Sequence, residues 1–491
     1  MNTLSNPAIT TKSRWMGRHA EGFIWPLWLM VVFHLGEARW LHTDSAYTLF
    51  RILNQQSLFY DRFACELIVW PGQLLTLLGA PAIWVLQGLN LILPLMGWVL
   101  WVAFAHNPHR WVLFFLILAG GNELFFIGYS EIGLSTLSFL TSWLLLVGID
   151  WNRQNRWQLP ALALALLITL LSHPAGWLYV IVFAAFALAI LHRKTLLALG
   201  FTLLIAMGLK TLIFPSNTYD SGLYRMLFTA ETWQHFGQLW SLNYLTHASW
   251  FFIPGVTAMA CLLLGLTKPW RWHSVAFFSI WLIEAMVCVI VYSQGDAHIN
   301  MEKFFYPMGV LAMLSIPMYL WASHLPQFGE YRLKFVSAKQ RELSRSIVGI
   351  LPWFMSVSTL LGIQQHSPTY TNRYQQLHAL ITAMPNEKMI AHYDSLSSRV
   401  HPGSLWGLSY ETALTSVLNQ ERTGNRGLVK SMKAMSTEEI ADWEETQKRI
   451  GDSLLIGAPF EMPQRIDRLN RRYFEFEQGT TYQLWNPAAN R

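Results

Sequence analysis

The chain has 491 residues, 53% of them hydrophobic, 14% aromatic and only 13% charged, whereas an ordinary soluble domain carries roughly 25% charge. A purely soluble protein is excluded. Residues 1–363 hold 36 of the 64 Asp, Glu, Lys and Arg, and residues 364–491 hold the other 28, in a balance of 14 basic and 14 acidic. The net +6 therefore belongs to the apolar part, where basic cytoplasmic loops produce it, and it does not indicate nucleic acid. The composition implies a polytopic α-helical membrane domain over residues 1–363 and a small, soluble C-terminal α/β domain over residues 364–491. Cys65, Cys261 and Cys288 lack CxxC spacing, so neither a zinc site nor a disulfide framework is indicated.

In chain order, Lys12, Arg14 and Arg18 precede an apolar run that resembles a signal peptide but has no AxA-like cleavage site. It reads as an uncleaved first helix. Crossing the hydrocarbon core takes about 20 apolar residues, and eleven such runs are predicted: 22–40, 83–105, 111–128, 132–149, 158–172, 175–191, 195–213, 251–267, 273–292, 304–322 and 346–363. The uncharged stretch 67–109 is long enough for two helices. With one span there, Arg110, Arg153, Arg156, Arg193, Lys194, Lys268, Arg271 and the cluster from Arg332 to Arg345 all fall on the N-terminal, cytoplasmic side. Residues 62–80 then form an amphipathic segment lying on the outer surface, anchored by Trp70 and Trp84. Eleven crossings also put the C-terminal domain outside. The long loops, 42–82 and 214–250, face the periplasm or exterior together with most of the acids.

In the C-terminal part, residues 387–394 and 452–459 read as short buried strands. Ser436-Thr437-Glu438-Glu439 opens a helix with Ser436 or Thr437 as its cap, and the segment YFEFEQGTTYQLW at 473–485 reads as a hairpin. No phosphate-loop or dinucleotide glycine pattern occurs, so this domain is expected to bind acceptor or partner.

The most informative segment is His42-Thr43-Asp44-Ser45-Ala46-Tyr47-Thr48-Leu49-Phe50-Arg51, directly after the first span. It sets a carboxylate at the level of the lipid head groups. Asp44 could equally cap a helix starting at Ser45. An acid in the first exterior loop, about eleven spans with the N-terminus inside, a surface-lying segment and an exterior C-terminal domain together resemble the GT-C superfamily of integral-membrane glycosyltransferases. The resemblance implies transfer of a sugar from a polyprenyl-phosphate carrier to an extracytoplasmic acceptor, usually with inversion, by a protein of the plasma (inner) membrane.

Carried over, Asp44 matches the family's first-loop acid, acting on the acceptor hydroxyl as general base or helping to orient it. Glu131 matches the further carboxylate often supplied from the loop before the fourth span; its other reading is a helix N-terminus favoured by the macrodipole. Groups for the carrier phosphate and substrate are His42, Arg51, Arg62, His173 in Ser172-His173-Pro174, His298, and Lys303 before Phe304-Phe305. Against these stand a plain turn histidine at His173 and a snorkelling lysine at Lys303. Asp44-Ser45 lacks the paired acids of many members, and Asp296 with His298 lacks ligand spacing, so no metal site is assigned; a divalent cation, Mg or Mn, is the one cofactor left open. Glu284, at membrane depth in the ninth span, keeps a transporter or flippase of lipid-linked intermediates open. A polysaccharide polymerase or ligase is disfavoured because the loop 214–250 holds only Arg225, and a partner-binding scaffold leaves the outer acids unexplained.

Overall fold

The computed structural model describes residues 21–55, 63–107, 110–119, 131–148, 157–173, 193–213, 338–397, 407–424, 427–446, 454–458, 461–466, 469–477 and 482–485, with isolated positions between 176 and 187. These are mostly helical. The first apolar run is two helices, α1 (Ile24–His34) and α2 (Gly36–Trp40), where a single span over 22–40 was expected. At the break, the Val32 carbonyl accepts from Asn90 Nδ2 at 2.6 Å and the Phe33 carbonyl from Gln87 Nε2 at 3.4 Å. Asn90, 1% exposed, also accepts from the buried Arg39 guanidinium. Buried backbone groups freed by such a break need neighbours that satisfy them.

Next come α3 (Thr43–Leu53), α4 (Glu66–Leu77) and α5 (Ala82–Ala103). At 22 residues, α5 is about 33 Å long, matching the expected span 83–105; among the described residues it is the one helix long and apolar enough to cross a membrane. With 12 residues, α4 is about 18 Å long and cannot cross. Within the segment 62–80, expected to be amphipathic, it runs back along the first turns of α5. A β-carbon on Gly72 would stand 2.6 Å from Leu89 Cδ2, and one on Gly88 2.8 Å from Leu75 Cδ1. Two facing glycines let the backbones approach this closely. Gly79, at φ +74°, makes the turn between the helices, and Pro81 precedes α5 with an extended backbone.

Of the shorter apolar helices, α6 (Phe114–Ala119) begins the expected span 111–128, whereas α7 (Glu131–Gly148), α8 (Gln158–Ser172) and α9 (Arg193–Ile213) coincide with the expected 132–149, 158–172 and 195–213 within two residues. Ser135 Oγ donates to the Thr169 carbonyl at 2.8 Å, pairing the start of α7 with the end of α8. The expected spans 251–267, 273–292 and 304–322, most of 175–191, and Glu284 lie outside the described residues. The core between these helices is aromatic: Trp25 stacks on Phe114 at 5.6 Å, Phe139 stacks on Tyr179 at 4.5 Å, and the Arg110 guanidinium covers Trp101 at 3.8 Å.

The expected span 346–363 lies inside α10 (Ala338–Ala383), a 46-residue helix that passes residue 363 without a break. Beyond it, β1 (Lys388–His392) is followed by α11 (Tyr393–Ser397), α12 (Leu408–Thr423), β2 (Ser431–Met435), α13 (Thr437–Thr446), β3 (Leu454–Ala458), β4 (Glu461–Ile466) and β5 (Gln483–Leu484). The strand order β2-β1-β5 is parallel throughout, with Ile390 opposite Lys433 and Leu484. Hence the C-terminal part is α/β, as expected. Among the described residues, the two arms of the hairpin expected at 473–485 do not pair with each other. Its last strand pairs in parallel with β1, and the Glu475 carbonyl accepts from Val429 N at 2.8 Å.

The outer edge of β2 is closed by hydroxyls of α12: Met432 N donates to Thr412 Oγ1 at 2.9 Å and Lys430 N to Ser416 Oγ at 3.1 Å. This blocks further strand addition. Ser436 and Glu439 form the expected capping box, with Ser436 N donating to Glu439 Oε2 at 2.7 Å and Glu439 N to Ser436 Oγ at 3.2 Å.

Side chains alternate across this sheet. Met389, Ala391, Met432 and Ala434 face a core with Leu377, Leu380 and Trp485. Ile390 and Met435 face the other way, into a core they share with Ala46, Leu49 and Phe50 of α3, Ile68 and Val69 of α4, Leu86 of α5 and Leu134 of α7. The C-terminal domain and helices α3 to α5 are therefore one packed unit.

Candidate functional site

α3 carries the motif singled out in the sequence. His42 precedes it with an extended backbone (φ −136°, ψ 126°), and its carbonyl accepts from Ser45 N at 3.1 Å. The helix begins at Thr43, so Asp44 is its second residue and not the cap of a helix starting at Ser45. There a carboxylate is favoured by the macrodipole; the side chains of Thr43 and Asp44 lie outside the described residues. Ser45, Ala46, Thr48, Leu49, Phe50, Ile52 and Leu53 are buried. Asp44, Tyr47 and Arg51 recur at i, i+3 and i+7 and so form a second stripe. Along it, Arg51 Nη1 donates to Tyr47 OH at 2.6 Å while the guanidinium stands 5.4 Å from the ring centre.

The C-terminal domain covers this helix with aromatic and charged groups. Tyr410 of α12 lies 5.4 Å from Tyr47 and 5.8 Å from Phe50, and Phe474 lies 4.8 Å from Phe50, ring centre to ring centre. His42 meets the edge of Tyr370 on α10 at 5.2 Å. Next to these rings, Arg373 Nη2 and Glu411 Oε2 form an ion pair at 2.6 Å, with side chains 1% and 0% exposed. Arg422 pairs with Glu37 of α2 and donates to Tyr374 OH at 2.6 Å; burial pushes the Tyr374 phenol up from its usual range.

Six further hydrogen bonds hold the end of α3, the start of α5 and the turn between α4 and α5. Asn470 donates from its backbone N to Asn54 Oδ1 and from Nδ2 to the Leu53 carbonyl, both at 2.8 Å, at the end of α3. Glu421 accepts from Ala82 N at 2.7 Å and Ile83 N at 3.0 Å, capping α5 from a distant part of the chain. At the turn before α5, Arg472 donates to the Gly79 carbonyl, and Tyr473 OH to the Ala80 carbonyl at 2.6 Å.

Glu131 opens α7 and is half-buried, and Leu134, one turn on, enters the core shared with α3. His173 ends α8 with an extended backbone and is buried. Its neighbour Ser172 offers its carbonyl to Cys65 Sγ at 3.2 Å, just before α4. Thus His42, Asp44, Arg51, Glu131 and His173 are carried by elements that meet around one core. Arg62, His298 and Lys303 lie outside the described residues. Among the described residues, no group of three His, Cys, Asp or Glu able to hold a metal occurs.

Tyr370, Arg373, Tyr410, Glu411, Glu421 and Arg472 were missed from the sequence. The one signal available was the i, i+3, i+4 spacing of Tyr370, Arg373 and Tyr374, which puts them on one helix face. Elsewhere in the domain, Lys433 of β2 is 4% exposed. Burial pushes its amine down to about 8, partly offset by the Glu439 carboxylate. Comparison of the chain with protein families, curated proteins and solved structures finds no match.

Proposed function

We propose that the chain is an integral-membrane glycosyltransferase of the GT-C kind, with about eleven spans, a cytoplasmic N-terminus and a C-terminal domain on the periplasmic or extracellular face. It moves a sugar from a polyprenyl-phosphate carrier to an extracytoplasmic glycan, lipid or protein. The observation that supports this most is the seating of α3: the helix bearing Asp44 follows the first apolar helices directly and is held between the α4–α5 hairpin and α12. The acceptor oxygen attacks the anomeric carbon as the bond to the carrier phosphate breaks. The hydroxyl proton passes to Asp44, and the carrier leaves as a phosphate anion for which Arg51 and His173 are candidate partners.

The test is Asp44→Asn in living cells. The variant is expected to reach parental levels in the membrane and to accumulate a lipid-linked sugar detectable by mass spectrometry of extracted lipids. Parental carrier turnover in that variant would refute the role of Asp44.

A further inference from the structure

The face of α4 turned away from the shared core is apolar and open. Leu67, Trp70, Leu74 and Leu77 recur at i, i+3, i+7 and i+10, a single helical stripe; Trp70 is 61% exposed and Leu77 69%. Glu66 is the only charged residue of α4, and it sits at the first position, accepting from Gln73 Nε2 at 2.8 Å. Thr76 Oγ1 is spent on the Gly72 carbonyl at 2.9 Å. The four stripe residues themselves bring one polar group, the indole N–H of Trp70.

The stripe continues onto exposed apolar residues of α5, where Trp84 and Val99 are each 61% exposed. Depth follows from the packing. Gly72 of α4 is level with Leu89, two turns into α5, and the adjacent Asn90 bonds Val32 in the last turn of α1, so the middle of α4 is level with the α1–α2 break, inside the expected first span 22–40. A helix of about 18 Å held at that level dips into one leaflet and returns.

We propose that α4 is a re-entrant helix whose Leu67–Trp70–Leu74–Leu77 face is immersed in the acyl chains of the outer leaflet, with Trp84 and the Gly79 turn towards the head groups. The inference rests on the membrane reading above and not on the transferase activity. Its tail-side turn is pinned by Arg472, Tyr473 and Glu421, so the depth of α4 also sets the height of the C-terminal domain over the bilayer.

The test places the photoreactive residue p-benzoylphenylalanine, one position at a time, in the full chain in its native membrane, followed by mass spectrometry of the adducts. The positions are Leu74 and Trp70 on the stripe, Val69 on the buried face, and Val99 on α5. Phospholipid adducts are expected at Leu74, Trp70 and Val99 and none at Val69. Lipid at Val99 with a protein adduct, from this chain or another, at both Leu74 and Trp70 would overturn the re-entrant placement alone. Equal lipid adduct at Val69 would overturn it too. No lipid at Val99 would overturn the membrane reading and the inference with it.

Discussion

Glu411→Leu is expected to be among the most damaging single changes in the C-terminal domain. It leaves the Arg373 guanidinium 1% exposed with its carboxylate partner gone, and arginine cannot shed its charge in a protein. Removing one partner of a buried pair costs about 3–5 kcal/mol, which raises the unfolded fraction by a factor of about 10² to 10³ or more. Arg373→Met should cost less, because it removes the one group of the pair that cannot be neutralised inside a protein. The double variant Arg373→Met/Glu411→Leu removes both charges and keeps the volume, so it should recover most of the loss. Pulse proteolysis of the detergent-solubilised full chain across a urea series measures the four proteins side by side. The same series followed by hydrogen exchange should show the amides of Leu49 to Leu53 losing protection in Glu411→Leu, since Tyr410 next to it packs on Phe50. If each single variant cost less than about 1 kcal/mol, as a surface pair would, or if the double were no better than Glu411→Leu, the pair would not be acting as a buried charge.

Lys433 and Glu421 provide two further checks. The Lys433 amine is pushed from 10.5 down to about 8 by burial, so below pH 8 the folded chain bears the full cost of a buried ammonium. Between about 8 and 10.5 the unfolded chain binds more protons than the folded one, and stability should rise with pH by about 3 kcal/mol. Tyr393 and Tyr473, both pushed up by burial, oppose this only above pH 10. Urea midpoints from pH 7.5 to 10 should climb in the parent and stay flat in Lys433→Met; a climb persisting in the variant would assign it to another group. Glu421→Ala removes the two bonds that cap α5 and should cost about 1–3 kcal/mol, with Glu421→Gln recovering part of it. A thermal melt that does not move would mean that water caps α5 equally well.

What was legible in the sequence was local. The ends of α8 and α5 follow from apolar runs with a basic residue beyond one end, Arg156 or Arg110, and a proline beyond the other, Pro174 or Pro81, and the Ser436 box follows from four consecutive residues. The break at Leu35 was not legible because its cause, Asn90, lies far along the chain and reads as one polar residue in an apolar helix. The hairpin expected at 473–485 has every local sign of one, yet β5 finds its partner in β1, about ninety residues earlier; parallel pairing always depends on distant partners. The candidate site divides in the same way. His42, Asp44 and Arg51 stand out at the exit of the first apolar run, whereas Arg373 and Tyr410 sit in a segment of ordinary composition and acquire meaning only from what they touch.

The change in charge density at residue 363 marks a difference in surroundings more than a seam in the structure. α10 crosses it as a helix of 46 residues, about 69 Å long, and its far half carries Tyr370, Arg373 and Tyr374 to the corner where α2 meets α3. An isolated helix of 11 residues such as α3 is marginal in water, because nucleation is costly and few bonds follow it. Its buried face, Ala46 through Leu53, is covered largely by α4, α5 and α12, and its last turn is tied by Asn470. The position of Asp44 is thus set as much by residues 370–474 as by its own loop. A domain that looks appended by composition is, by packing, one wall of the site that the first loop begins.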